Sequence, residues 1–167
     1  TMPAADETLF AGSMMDTILE GMTLIDGLGN CIPEAAVAFD GERIAEVGKK
    51  GEIQVPPEAV RYDLAGKFVL PGLVDAHVHL DMHGMADTYH ESLVEDKLRT
   101  IRAAREMANT LRAGITTVRN AGSVNCIDIA VKQAVAEELL VGPRILASGR
   151  IICMLSAGSE YFRGLYR

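Results

Sequence analysis

His77 and His79 stand one residue apart in the stretch LPGLVDAHVHLD, residues 70–81, with Asp75 two positions before the first. In a strand, alternate side chains share a face, so Asp75, His77 and His79 point one way and Val74, Ala76, Val78 and Leu80 the other. An apolar face suits a strand covered by helices. A buried face of Asp-His-His is costly unless its polar atoms find partners, at roughly 1–3 kcal/mol for each unsatisfied group. A metal ion resolves the cost, because imidazoles at i and i+2 reach one ion from the same side at Zn–N distances of about 2.0–2.1 Å. Asp75 then serves to hold a ring N–H and fix the tautomer. On the residues alone, a structural role for the pair stands as the alternative. His83 and His90 follow, with Asp81, Asp87 and Glu91 nearby, and read as loop histidines on the surface. His83 is the nearest candidate for a third local donor.

The elements around this strand are legible from periodicity. Residues 18–69 read as short strands, with AAVAFDGERIAEVG forming a hairpin about Asp40-Gly41, where glycine accepts the positive φ of a tight turn. After Pro71-Gly72 the pattern alternates. LVDAHVHL reads as a strand, and VEDKLRTIRAAREMANTLRAG as a helix with Leu98, Ile101, Ala104, Ala108 and Leu111 on its apolar face. ITTVRNAG is a second strand, CIDIAVKQAVAEELLVGP a second helix with Val131, Ala134, Val135 and Leu139 inward, and RILASG a third strand. The order β-α-β-α-β predicts a parallel sheet with crossover helices.

Composition narrows the function classes. The 167 residues carry a net charge of −7, which argues against nucleic acid, whose phosphates need a clustered basic surface. Arg99, Arg102, Arg105 and Arg112 alternate with acidic residues and read as a solvated helix face. No apolar run has the length that spans a bilayer, and the amino terminus lacks a basic n-region, so the expected location is cytoplasmic, away from the membrane. Cys31, Cys126 and Cys153 are odd in number and widely spaced, as for reduced thiols rather than a disulfide framework. GxSxG is absent, so a serine nucleophile is not expected.

GKFVLPGLVDAHVHLD, preceded by the AFDGERIAEVG hairpin and followed by AGITTVRNAG and VGPRILASGR, closely resembles the amidohydrolase superfamily, in its imidazolonepropionase- and prolidase-like branch. The resemblance implies an α/β fold, the amino-terminal part of a (β/α)8 TIM barrel with about three strands (residues 70–167), preceded by part of a small β-sandwich (residues 1–69). It implies that His77 and His79, at the carboxyl end of the first barrel strand, bind the more buried of one or two divalent metals, usually zinc. The implied reaction is hydrolysis of amide, peptide or N-acyl amino acid C–N bonds by activated water, with cyclic amide opening or deamination as the alternative. The implied substrate is a small molecule and the complete enzyme a homo-oligomer.

Arg119, at the end of the second strand, is a candidate for binding a substrate carboxylate, against a structural salt bridge as its other use. The chain departs from the family pattern at Arg119-Asn120, where Arg-Asp is common, and at MLSAGSE, where relatives carry glycine-histidine. The family's strand-four lysine, its strand-five and strand-six histidines and its strand-eight catalytic aspartate have no counterpart here, since no histidine follows His90. A complete barrel takes roughly 250 residues. The expectation is therefore an incomplete piece, inactive alone, with its catalytic residues on a missing carboxyl-terminal part. A non-catalytic metal-binding fragment is the remaining alternative.

Overall fold

The computed structural model describes residues 15–82 and 93–152, and the chain divides between Pro71 and Gly72 into two units. His83, His90, Asp87, Glu91, Cys153 and the MLSAGSE segment lie outside the described residues.

In the first unit, apolar residues at alternate positions build β1 (Thr17–Ile25), β2 (Cys31–Asp40), β3 (Arg43–Lys49), β4 (Val60–Asp63) and the short β5 (Phe68–Val69). They form one mixed sheet in the order β3-β2-β1-β4, with β5 also on β1. The β2–β3 hairpin closes one residue later than the sequence suggests. Asp40 pairs with Arg43, so Gly41 and Glu42 make the turn, with Gly41 at φ +55°. Ala35, Ala36, Val37 and Ala38 are all buried because both faces of β2 are covered. Ile18, Ala36, Ala38 and Ile53 cluster together, and Met22, Leu24, Ala35 and Val37 form a second cluster, as the two-residue period of the strand requires. Among the described residues the strands of this unit form one hydrogen-bonded sheet.

The second unit follows the predicted alternation. Strand β6 (Leu73–Val78) leads to helix α1 (Asp96–Arg112), strand β7 (Ile115–Asn120), a 3-10 turn over Val124–Cys126, helix α2 (Ile127–Ala136) and strand β8 (Arg144–Leu146). The three strands pair in parallel in the order β6-β7-β8. Leu80, Ala103, Met107, Val118, Ile127, Val131 and Ile145 make the core, with Val78 packed against it.

The helix faces differ in part from the periodicity reading. Arg99, Ala103 and Met107 are the buried positions of α1, whereas Leu98 and Ile101 are 44% and 67% exposed. Arg99 is thus not part of a solvated face. It is buried, and its Nη1 donates to the Asp81 carbonyl at 3.2 Å. A buried guanidinium with a backbone acceptor can occupy a sheet-facing position that periodicity reserves for an aliphatic residue. Helix α2 ends at Ala136, where Glu138 takes a positive φ, so Leu139 is not on its inner face and is exposed. Val78 at the end of β6 and Leu80 just past it reach the core while Val74 is 67% exposed, so only the carboxyl half of the expected apolar face is covered.

Candidate metal centre

The end of β6 is irregular where the chemistry sits. Asp75 pairs with Val118 and Val78 with Asn120, so three steps on β6 oppose two on β7. This bulge leaves the backbone N–H of His77 off the ladder, and Asp75 Oδ1 accepts it at 3.0 Å. Asp75 therefore holds the histidine strand through its backbone. The side chain of Arg119, opposite the bulge, donates from Nη1 to the Ala76 carbonyl at 3.4 Å and is otherwise exposed.

His77 and His79 keep a common side despite the bulge. Their ring centroids lie 5.4 Å apart, edge to face at 77°. Nδ1 of His79 is 2.8 Å from the Gly122 carbonyl oxygen. A carbonyl only accepts, so this nitrogen carries a proton, and in the neutral ring Nε2 keeps its lone pair. The ring partner that sequence reasoning sought in Asp75 is thus found, for His79, in a backbone carbonyl 43 residues away. No side-chain pattern announces such a partner. Its one sequence signal is Gly122 itself, in the loop after β7.

Four consecutive residues of the β6 end are tied to that loop. The Val78 carbonyl accepts from the Ala121 amide at 2.9 Å. His79 donates to Gly122, the Leu80 amide donates to Asn120 Oδ1 at 3.1 Å, and Asp81 Oδ2 accepts from the Val124 amide at 2.9 Å. Behind them, Asn120 Nδ2 donates to Asp128 Oδ2 at 2.8 Å, and the same oxygen accepts the Ser148 and Gly149 amides at 3.0 and 2.9 Å. Asn120, Asp81, Ser123 and Asp128 are all fully buried. The carboxyl ends of all three parallel strands are therefore fastened to one another by polar groups, in the place where barrel enzymes keep their sites.

The two imidazoles fit part of a metal site. As neutral rings they would offer nitrogen donors from one side, with Nδ1 of His79 already engaged by a carbonyl. Among the described residues, no group of three or more His, Cys, Asp and Glu side chains converges to complete it. A cleft of about 620 Å³ lies beside His79, walled by Val78, Leu80, Met82, Arg102, Met107 and Val118. Those walls include the core-facing side chains of β6 and α1, so it is a groove between strand and helix. Cys31 and Cys126 are free thiols.

Residues 68–159 match the Amidohydrolase family. The chain is 31% identical over 137 residues to the imidazolonepropionase of Cereibacter sphaeroides, a match covering 81% of this chain and 29% of that protein. It is 40% identical over 68 residues to the N-acyl-D-glutamate deacylase of Alcaligenes xylosoxydans xylosoxydans, covering 41% of this chain and 13% of that one. Among solved structures, a prolidase complexed with N-methylphosphonate-L-proline is similar with a TM-score of 0.69 at 31% identity, covering 90% of this chain and 40% of that one. A Xaa-Pro dipeptidase with bound methionine in its active site gives 0.75 at 28% identity, covering 89% and 36%. The chain thus spans less than half the length of each of these proteins. The family match takes in both histidines, the loop that holds His79 and all three parallel strands: this chain belongs to the amidohydrolase family.

Proposed function

We propose that this chain supplies the first metal-binding strand of a hydrolase acting on C–N bonds, with His77 and His79 as ligands to a divalent metal. The observation that carries the reading is the pair of imidazoles on one side of β6, with His79 Nδ1 already engaged and Nε2 left for an ion. Such an ion, with zinc as the expected metal, would lower the pKa of a water and polarise an amide carbonyl. The chain's own residues do the positioning. Asp75 steadies the bulge that carries His77, Gly122 holds the ring of His79, and Asn120 with Asp128 secures the loop between them. Arg119 is placed beside the bulge with most of its donors toward solvent, as a binder of a substrate carboxylate would be.

In this reading, residues 70–167 belong to a (β/α)8 barrel and residues 1–69 to its accompanying β-sandwich, with the remaining ligands and the proton-shuttling aspartate on further sequence. The substrate is a peptide or N-acyl amino acid, which the similarity to a deacylase, a prolidase and a dipeptidase favours. Cyclic amide opening or deamination is the second reading, favoured by the similarity to an imidazolonepropionase and to an adenine deaminase of Desulfotalea psychrophila. No helix among the described residues is long and apolar enough to cross a membrane.

The test is metal content by elemental analysis and zinc affinity by chelator competition on the full-length protein. His77→Ala and His79→Ala should each lower zinc affinity at least a hundredfold and abolish turnover of dipeptides and N-acyl amino acids. Unchanged zinc affinity in both variants would defeat the reading.

A further inference from the structure

We propose that Gly122 is a positioning residue for the metal site, its carbonyl selecting which nitrogen of His79 faces the ion. The proposal rests on the reading of His77 and His79 as ligands, and three independent observations carry it. First, the Gly122 carbonyl is 2.8 Å from His79 Nδ1, so the loop presents an acceptor where the ring needs one. Second, no other residue fits there. Gly122 has φ +148°, and a Cβ added to it would overlap Ile151 Cγ1 and lie 2.9 Å from Ile151 Cα. A backbone Cα cannot move aside as the end of a side chain can.

Third, the direction of the carbonyl is fixed from both flanks. The Ala121 amide donates to the Val78 carbonyl at 2.9 Å, and the Ser123 amide donates to the Gly149 carbonyl at 2.8 Å. Asp128 reinforces the second anchor by accepting the Gly149 amide at 2.9 Å and the Asn120 side chain at 2.8 Å. The peptide carbonyl of Gly122 is thus held between the ends of β6 and β8.

The choice of a carbonyl has a chemical consequence. A carboxylate on Nδ1 would fix the same tautomer but add a negative charge behind the ligand, making the imidazole a stronger donor. A neutral carbonyl fixes the tautomer and adds no charge. The ring of His79 is thereby oriented in advance with Nε2 toward the ion, so that less of its ordering is left to the moment of metal binding.

Long-range proton–nitrogen NMR on the metal-free, histidine-labelled full-length protein tests this directly. The expected spectrum has His79 protonated at Nδ1 and bare at Nε2. In Gly122→Ala, His79 should show both tautomers, with zinc affinity falling about 10- to 100-fold. The double variant Gly122→Ala/Ile151→Gly, which removes the side-chain overlap, should regain part of that affinity. If Gly122→Ala does not fold, the wild-type spectrum still decides. An Nε2-protonated His79 in a protein that binds zinc through His77 and His79 overturns the proposal alone. A Gly122→Ala protein with native tautomer and native zinc affinity does the same. Absence of zinc binding by the wild type overturns the metal reading and this proposal with it.

Discussion

Asn120 and Asp128, both fully buried, meet with the amide Nδ2 donating to the carboxylate Oδ2 at 2.8 Å. Asn120 uses its other end, Oδ1, to accept the Leu80 amide, so one side chain needs a donor and an acceptor at the same time. An amide has both and an ionised carboxylate has only acceptors. This explains asparagine at a position where the family resemblance leads one to expect aspartate: Asp128 already supplies the negative charge.

Asn120→Asp should therefore place two carboxylates against each other in a buried site. At neutral pH the change should destabilise the protein by about 3 kcal/mol or more, the range for an uncompensated buried charge. Two carboxylates in contact cannot both ionise cheaply, so the folded variant binds a proton that its unfolded chain releases at neutral pH. The folded variant then holds more protons than the unfolded one. Its stability deficit should shrink as pH falls from 7 towards 5. Thermal melts of wild type and variant at the two pH values check this. Equal deficits at both would show that the pair does not carry a repelling charge.

Gly72 opens the strand that carries the histidines and lies against Thr116 of β7. A Cβ added at Gly72 would overlap Thr116 Oγ1 and Cγ2 and sit 2.6 Å from Thr116 Cβ. The Thr116 Cβ is fixed to its backbone, so a rotamer change cannot clear the space. Gly72→Ala should cost about 1–3 kcal/mol, as overpacking does. Thr116→Gly in the same chain should recover most of it, and denaturant melts of the four proteins give the coupling energy. Additive losses would place the strain elsewhere.

Asp26 is the one described group whose carboxyl is clearly held below its ordinary value. Its causes are, first, the hydrogen bond from the Asn30 side chain, and then the Leu28 amide. Stability from a depressed carboxylate is present above the unfolded value of 3.8 and is lost as pH falls through the lower folded value. The group is fully exposed, so its place is in a local turn. Asn30→Ala should bring the Asp26 titration, followed by carboxyl NMR, back towards 3.8. An unmoved titration would assign the shift to the Leu28 and Asn30 amides instead.

What the sequence could tell follows from the range of its signals. Period-two and helical spacing act within a few residues, and they placed β6, α1, β7, α2 and β8 in order. HxH carried its own meaning because the two rings need only one strand to share a side. The bulge at Ala76–His77 was hidden, since it depends on pairing with β7 and leaves no mark on composition. Arg99 was misread for a related reason: its acceptor, the Asp81 carbonyl, belongs to a different segment. The Gly122, Asn120 and Asp128 contacts join residues from the ends of three strands, which periodicity along one strand cannot see.

Asp75 gives the sharpest test of how the bulge serves the site. Its Oδ1 accepts the His77 amide at 3.0 Å, in the stretch between Asp75 and Val78 where the ladder to β7 is interrupted. The bond is exposed to solvent, so water can replace it, and Asp75→Ala should cost only about 0.5–1.5 kcal/mol of stability. Its effect on metal affinity should be larger in proportion, about tenfold, because a loosened His77 must be ordered again each time an ion binds. Asp75→Asn keeps a side-chain oxygen in reach of the amide and should restore most of the affinity. Calorimetric zinc titrations beside thermal melts separate the two effects. If Asp75→Asn loses as much affinity as Asp75→Ala, the negative charge of Asp75 matters to the ion and the amide bond does not.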